Sequence, residues 1–133
     1  EFRRVLFRSV IDFGIAKVRG DPEYSSLTVS GALVGTPRYM APEQIADTKS
    51  VGPASDPYGP GAALYFCMTG QPPRTGTHLY EIMQTLKQPP VPPSKLRPDI
   101  PPALEEALLT ALFPDPAQRF SSAQEMEEAL AAV

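Results

Sequence analysis

Gly35-Thr36-Pro37-Arg38-Tyr39-Met40-Ala41-Pro42-Glu43 is the stretch whose reading decides the fold. Upstream of it, Arg19 to Gly35 is rich in Ser, Thr and Gly and shows neither a helical nor a strand period, which marks a long exposed loop. Loops of that length without their own structure are usually functional or disordered. Further upstream, Val10-Ile11 reads as the end of a short strand entering Asp12-Phe13-Gly14, where the glycine permits a turn. Downstream, Ala41 to Ile45 fits one short helical turn, and Ala46 to Ser55 reads as loop.

Helical patterns fill the remainder. Gly61 to Met68 is hydrophobic all round, which predicts a buried helix ended by Gly70. Cys67 lies in that run, so a buried structural thiol is expected. His78 to Lys87 reads as a third helix with Leu79, Ile82, Met83 and Leu86 on one stripe, and His78 as a surface residue. Gln88 to Lys95, with its repeated prolines, should be extended; it is a rigid connector in the first place and a PxxPxK peptide ligand in the last. Pro101-Pro102 opens a fourth helix, with Leu104, Leu108, Ala111 and Leu112 inward until Pro114 stops it. Ser122-Ala123-Gln124-Glu125 fits a capping box for a last helix burying Met126, Ala129, Leu130 and Val133. The fold class is therefore mainly α, in five helical pieces.

Composition narrows the classes. The 133 residues are 42% hydrophobic and 20% charged, the net charge is -3, and 17 prolines impose short helices with stiff joints. Clustered Lys and Arg are missing beyond residue 20, so no nucleic-acid partner is expected. No apolar run reaches the roughly 20 residues a membrane span requires, and the expected setting is cytoplasmic. Residues 1–9 carry Arg3, Arg4 and Arg8 with no acid after Glu1, and read as a cloning or assembly scar, with a basic targeting arm as the other reading.

Asp12-Phe13-Gly14 and Ala41-Pro42-Glu43, with a hydroxyl-bearing loop between them, form an ordered pair of signatures, and the stretch from Gly35 to Glu43 is the more specific of the motifs. Here the sequence resembles the serine/threonine protein kinases, particularly the bacterial ones of eukaryotic type, from Val10 to Leu130. The resemblance implies the C-terminal lobe of the kinase fold, with an activation segment at 12–43 and a helical lobe at 44–133, so that 10–133 form part of one kinase domain. It implies a protein substrate, ATP and Mg²⁺, and a dimer for trans-autophosphorylation. Asp12, a carboxylate on a glycine turn, becomes the metal ligand, with Phe13 and Gly14 beside the nucleotide. Thr36 matches the hydroxyl that bonds the catalytic aspartate. Thr28 and Ser30 match the usual sites of loop phosphorylation, ahead of Ser25 and Ser26. Glu43 resembles the glutamate that pairs with a late arginine, and Arg119 stands at the matching position, a structural ion pair.

The pattern also departs from the family. No glycine-rich loop, strand lysine or His-Arg-Asp...Asn motif occurs, and only eleven residues precede Asp12. The expectation is a fragment whose parent, with a membrane anchor beyond Val133 in some relatives, transfers phosphate while this chain alone does not. The competing expectation is a non-catalytic helical interaction module. Pro57 and Pro60 disturb the place where the family starts a buried helix; either the helix starts later, at Pro60 itself, or these residues reflect divergence or sequence error, with the bracing role of Asp56 in doubt.

Overall fold

A computed structural model of the chain describes residues 37–133. The Val10-Ile11 strand, Asp12-Phe13-Gly14 and the loop to Gly35 lie outside the described residues. So do Thr28, Ser30 and Thr36. Among the described residues there is no strand, and six α-helices follow one another: α1 Pro42–Ala46, α2 Tyr58–Thr69, α3 Leu79–Gln84, α4 Pro93–Leu96, α5 Pro102–Ala111 and α6 Ala123–Ala131. Single 3-10 turns at Pro37–Tyr39, Thr48–Ser50, Pro53–Ser55 and Pro116–Gln118 punctuate them, three of the four opening on a proline that supplies the required φ.

Helix α2 is the element about which the others are placed. It starts two residues before Pro60, because the first intrahelical bond runs from the Gly61 amide to the Pro57 carbonyl (3.0 Å). Pro60 is then the third helical residue, where an amide would have no intrahelical partner, so its missing N–H costs nothing. This corrects the expected start at Pro60. Asp56 does not cap the helix; Pro57 occupies that position, and Asp56 is exposed. At the other end Gly70 adopts φ 75°, left-handed, and returns its amide to the Phe66 carbonyl at 2.8 Å.

Tyr58, Ala62 and Tyr65, at offsets 0, 4 and 7, form the buried face of α2 and join Ala41 and Leu112 in the core, with Tyr39 packed against them. Ala63, Phe66 and Cys67 fall on the outer side, where Phe66 meets the Tyr39 ring edge-on at 6.4 Å. The exposed Cys67 corrects the expected buried thiol. A helix that is apolar all round has no periodicity to say which side faces the core, and Cys67 lies opposite to Ala62.

Two further expectations are adjusted. Helix α3 is shorter than 78–87, and only Ile82 and Leu86 of its stripe are buried, while Leu79 and Met83 stay exposed. The connector is not extended throughout: Pro93 starts α4 in the first-turn position that proline tolerates, and the Glu105 carboxylate accepts from the Ser94 amide at 2.6 Å. Pro93 is fully buried and the Val91 carbonyl accepts from the Tyr65 hydroxyl (2.7 Å), so the folded chain does not present this segment as a PxxP ligand. Helices α5 and α6 follow the expected faces with Leu108, Ala111 and Leu112 buried, and Met126 buried on α6, though Val133 is exposed. Ser122 caps α6 by accepting from the Glu125 amide; the Glu125 carboxylate turns instead to the amide and hydroxyl of Ser121.

Helices α2 and α5 approach so closely that a Cβ placed on Gly61 would lie 2.8 Å from the Ala111 Cβ. Glycine to alanine inside a helix ordinarily stabilises by up to about 1 kcal/mol. At Gly61 the sign should reverse: Gly61→Ala forces the helices apart and is expected to cost about 1–3 kcal/mol, read as a lower urea midpoint with an unchanged slope.

Candidate functional site

The site is built where the end of the deciding stretch meets the helical body. Pro42 opens α1 with its φ already helical, and the Gln44 side chain accepts from the Ala41 amide at 2.8 Å, which fixes the first turn. Glu43, the second residue of that turn, is thereby directed inward and buried. On the other side Pro114 follows the end of α5, Asp115 accepts from the Ala117 amide (2.9 Å), and the resulting 3-10 turn delivers Arg119 inward.

The two side chains meet across 76 residues of sequence. Arg119 Nη1 donates to Glu43 Oε1 at 2.7 Å and Nη2 to Oε2 at 2.6 Å, a bidentate fork. The three remaining donors of the guanidinium are also used. Nε reaches the Phe113 carbonyl (2.6 Å), Nη1 the Ala54 carbonyl (3.1 Å) and Nη2 the Pro114 carbonyl (3.1 Å). The Ser55 hydroxyl donates to Glu43 Oε1 at 2.6 Å, and the guanidinium carbon of Arg119 lies 5.2 Å from the centroid of the Tyr58 ring. Every polar group is satisfied, the condition under which a buried ion pair is tolerated. Glu43 and Arg119 were legible in the sequence. Ser55 and Tyr58 were not, because a serine after Pro53-Ala54 and a tyrosine before a glycine carry no signal of partnership.

A third tie joins the same region: Arg38 Nε donates to the Gly76 carbonyl at 2.7 Å, linking the Pro37–Tyr39 turn to the chain before α3. Positions 38 to 43 are thus held at both ends by arginines, one bonding outward from the turn and one inward to Glu43. Asp12, Phe13 and Gly14 cannot be placed in this frame, nor can Thr28, Ser30 and Thr36, since they lie outside the described residues. Among the described residues no group of three or more His, Cys, Asp or Glu side chains could hold a metal ion, and no helix is long and apolar enough to cross a membrane.

This geometry can be set beside known proteins. The model of the protein kinase domain matches residues 7–131, so the chain belongs to the protein kinase family. It is similar to the serine/threonine-protein kinase PknB of Mycolicibacterium smegmatis, 39% identical over 118 residues, which is 88% of this chain and 19% of that protein. Against PknB of Mycobacterium tuberculosis the identity is 38% over 125 residues, 93% of this chain and 20% of the relative. A probable serine/threonine-protein kinase of Streptomyces coelicolor is 38% identical over 118 residues, 88% of this chain and 17% of that protein. The chain is a bacterial serine/threonine kinase segment of eukaryotic type, and it spans about a fifth of the length of the curated relatives it matches.

Burial raises the pKa of the Glu43 carboxyl, but the hydrogen bonds from Arg119 and Ser55 and the Arg119 charge outweigh it, leaving the group below the usual carboxylate range. A depressed folded-state pKa means stability that is fully present above the unfolded value of 4.5 and lost as pH falls through the folded one. Thermal unfolding followed from pH 7 downward should therefore show a loss of stability beginning near pH 4.5, and that part of the loss should vanish in Glu43→Gln. At pH 7, Arg119→Ala leaves the carboxylate buried and unpaired and is expected to cost about 3–5 kcal/mol by urea unfolding.

Proposed function

We propose that this chain is the helical lobe of a protein serine/threonine kinase that moves the γ-phosphoryl group of ATP to a hydroxyl of a protein substrate, and that its described residues form the frame on which the activation segment ends. The observation that carries the reading is the Glu43–Arg119 fork. It fixes the chain immediately after Gly35 to Met40 against α2 and α5, where a segment that must present a substrate hydroxyl in register needs a rigid end. In this reading Asp12 holds Mg²⁺, which neutralises charge on the phosphates, with Phe13 and Gly14 beside it. Thr36 orients the catalytic aspartate, and Thr28 or Ser30 takes a regulatory phosphate, delivered in trans by a second kinase molecule in the cytoplasm.

The sequence holds no glycine-rich loop, strand lysine or His-Arg-Asp motif, so nucleotide binding and the catalytic base are assigned to other residues of the longer protein. A second reading, a docking module without catalysis, is favoured by the exposed apolar side chains of α3, Leu79, Tyr80 and Met83.

Two measurements separate them. Titration of Mg-ATP into the 133-residue chain by calorimetry should give no detectable binding; micromolar binding would show a nucleotide site within these residues and sink the division of labour above. The full-length protein should transfer labelled phosphate to myelin basic protein in a Mg²⁺-dependent reaction that Asp12→Asn reduces by at least about 100-fold. Absence of transfer by the intact protein would favour the docking module.

A further inference from the structure

Arg74 is a buried cation, 4% exposed, that follows Pro72-Pro73 in the connection between α2 and α3. Its hydrogen-bond partners are a hydroxyl and two carbonyls, with no carboxylate among them. Nε donates to the Tyr58 hydroxyl at 2.8 Å, Nη1 to the Thr85 carbonyl and Nη2 to the Leu86 carbonyl at 3.3 Å. With its guanidinium carbon 5.7 Å from the ring centroid and Nε on the hydroxyl, Arg74 sits at the hydroxyl end of Tyr58. Arg119 lies nearer the same ring, at 5.2 Å, and its five hydrogen bonds go to other groups.

Tyr58 is 1% exposed and is the first residue of α2, so one buried side chain receives both arginines. The result is a continuous buried chain of contacts. It runs from Ser55 and Glu43 through Arg119 to the Tyr58 ring, and from the Tyr58 hydroxyl through Arg74 to the Thr85 and Leu86 carbonyls just past α3. Helix α3 has six residues, too few to be stable alone, and leaves Leu79, Tyr80 and Met83 in solvent; its burial rests on Ile82 with Leu86 just beyond its end. The Arg74 cation, on the carbonyls of the C-cap Thr85 and of Leu86, also stands near the negative end of the α3 peptide dipoles. Packed interiors respond to the loss of such a tie by discrete rearrangement, because no free volume absorbs it.

We propose that Arg74 is a positioning residue that acts through Tyr58, so that the setting of α3 and the anchoring of Glu43 by Arg119 are energetically coupled, although Arg74 touches neither Glu43 nor Arg119. The proposal concerns the helical body alone and does not depend on phosphoryl transfer.

The test uses the 133-residue chain and two NMR readouts. One is amide hydrogen exchange at Gln44, whose N–H bonds the Ala41 carbonyl in the first turn of α1, at Asp47, whose N–H closes α1 on Glu43, and at Thr85, which closes α3. The other is the Nε–H signal of Arg119, donated to the Phe113 carbonyl and so protected from solvent. In Arg74→Met, exchange at Thr85 should accelerate, and exchange at Gln44, Asp47 and the Arg119 Nε–H should accelerate with it by about tenfold. Arg74→Lys, which can still donate to the Tyr58 hydroxyl, should restore part of the protection at Arg119. Arg97→Met is the control, since Arg97 is exposed and bonds only Asp99 and the Met68 carbonyl; it should move none of these signals. Should Arg74→Met fail to fold, Tyr58→Phe takes its place, keeping the ring against Arg119 while removing the acceptor of Arg74, and the same acceleration is expected at Thr85. Faster exchange at Thr85 with unchanged α1 amides and an unchanged Arg119 signal would overturn the coupling and leave Arg74 as a local tie of α3.

Discussion

The rest of the structure depends on one buried charge pair. Glu43 and Arg119 come from segments far apart in sequence, and each is brought to the meeting point by a proline-started turn whose φ is set before any tertiary contact forms. The pair does not stabilise the fold in the way apolar burial does, because desolvating both charges offsets most of their attraction. What it supplies is selectivity. An arrangement that buries one of the two without the other leaves a charge without a partner, which costs far more than the intact pair contributes. The five satisfied donors of Arg119 sharpen this, since carbonyls from Ala54, Phe113 and Pro114 all have to be in place together.

Around that pair the helices are arranged by size as much as by hydrophobicity. Helix α2 presents Gly61 and Ala62 to Ala111, the last residue of α5, and to Leu112 that caps it, which lets two backbones approach where larger side chains would hold them apart. Tyr58 and Tyr65 fill the space on either side and use their hydroxyls to reach beyond the core, one to Arg74 and the other to the Val91 carbonyl in the proline-rich connector. The connector, which in isolation would be an extended rod, is thereby drawn onto the body and closed by one helical turn whose free amide is taken by Glu105. A lobe of short helices is thus held as a unit by side chains that span between elements.

Helix existence was largely legible in the residues, and so were helix ends where glycine or proline imposes one: Gly70 stops α2, Pro114 stands beyond α5, and Ser122 starts α6. What failed did so for nameable reasons. The all-apolar run of α2 could not report which side faces the core, so Cys67 was misplaced. The stripe of α3 was complete by spacing but overestimated burial: Leu79 and Met83 lie within the helix and stay exposed, while Ile82 and, past the helix end, Leu86 are buried, so spacing named a face whose full width nothing covers. Pro60 looked like an obstacle, and would have been one had the helix begun a residue earlier; the cost of a proline depends on which amide it removes, and that depends on where the first bond forms. Of the candidate site, Glu43 and Arg119 were legible only as a pair of positions implied by a resemblance, while Ser55, Tyr58 and Arg74 gave no sign of their part in it.

By itself, then, the sequence determined the class of structure and the family, because helix periodicity, proline and glycine stops and an ordered motif are local properties that survive being read one segment at a time. Only the tertiary structure decided which apolar faces are buried, which arginines are structural and what completes the shell of the ion pair. Those outcomes rest on contacts between residues separated by tens of positions, where the energy of a side chain is set by its surroundings and not by its neighbours in the chain.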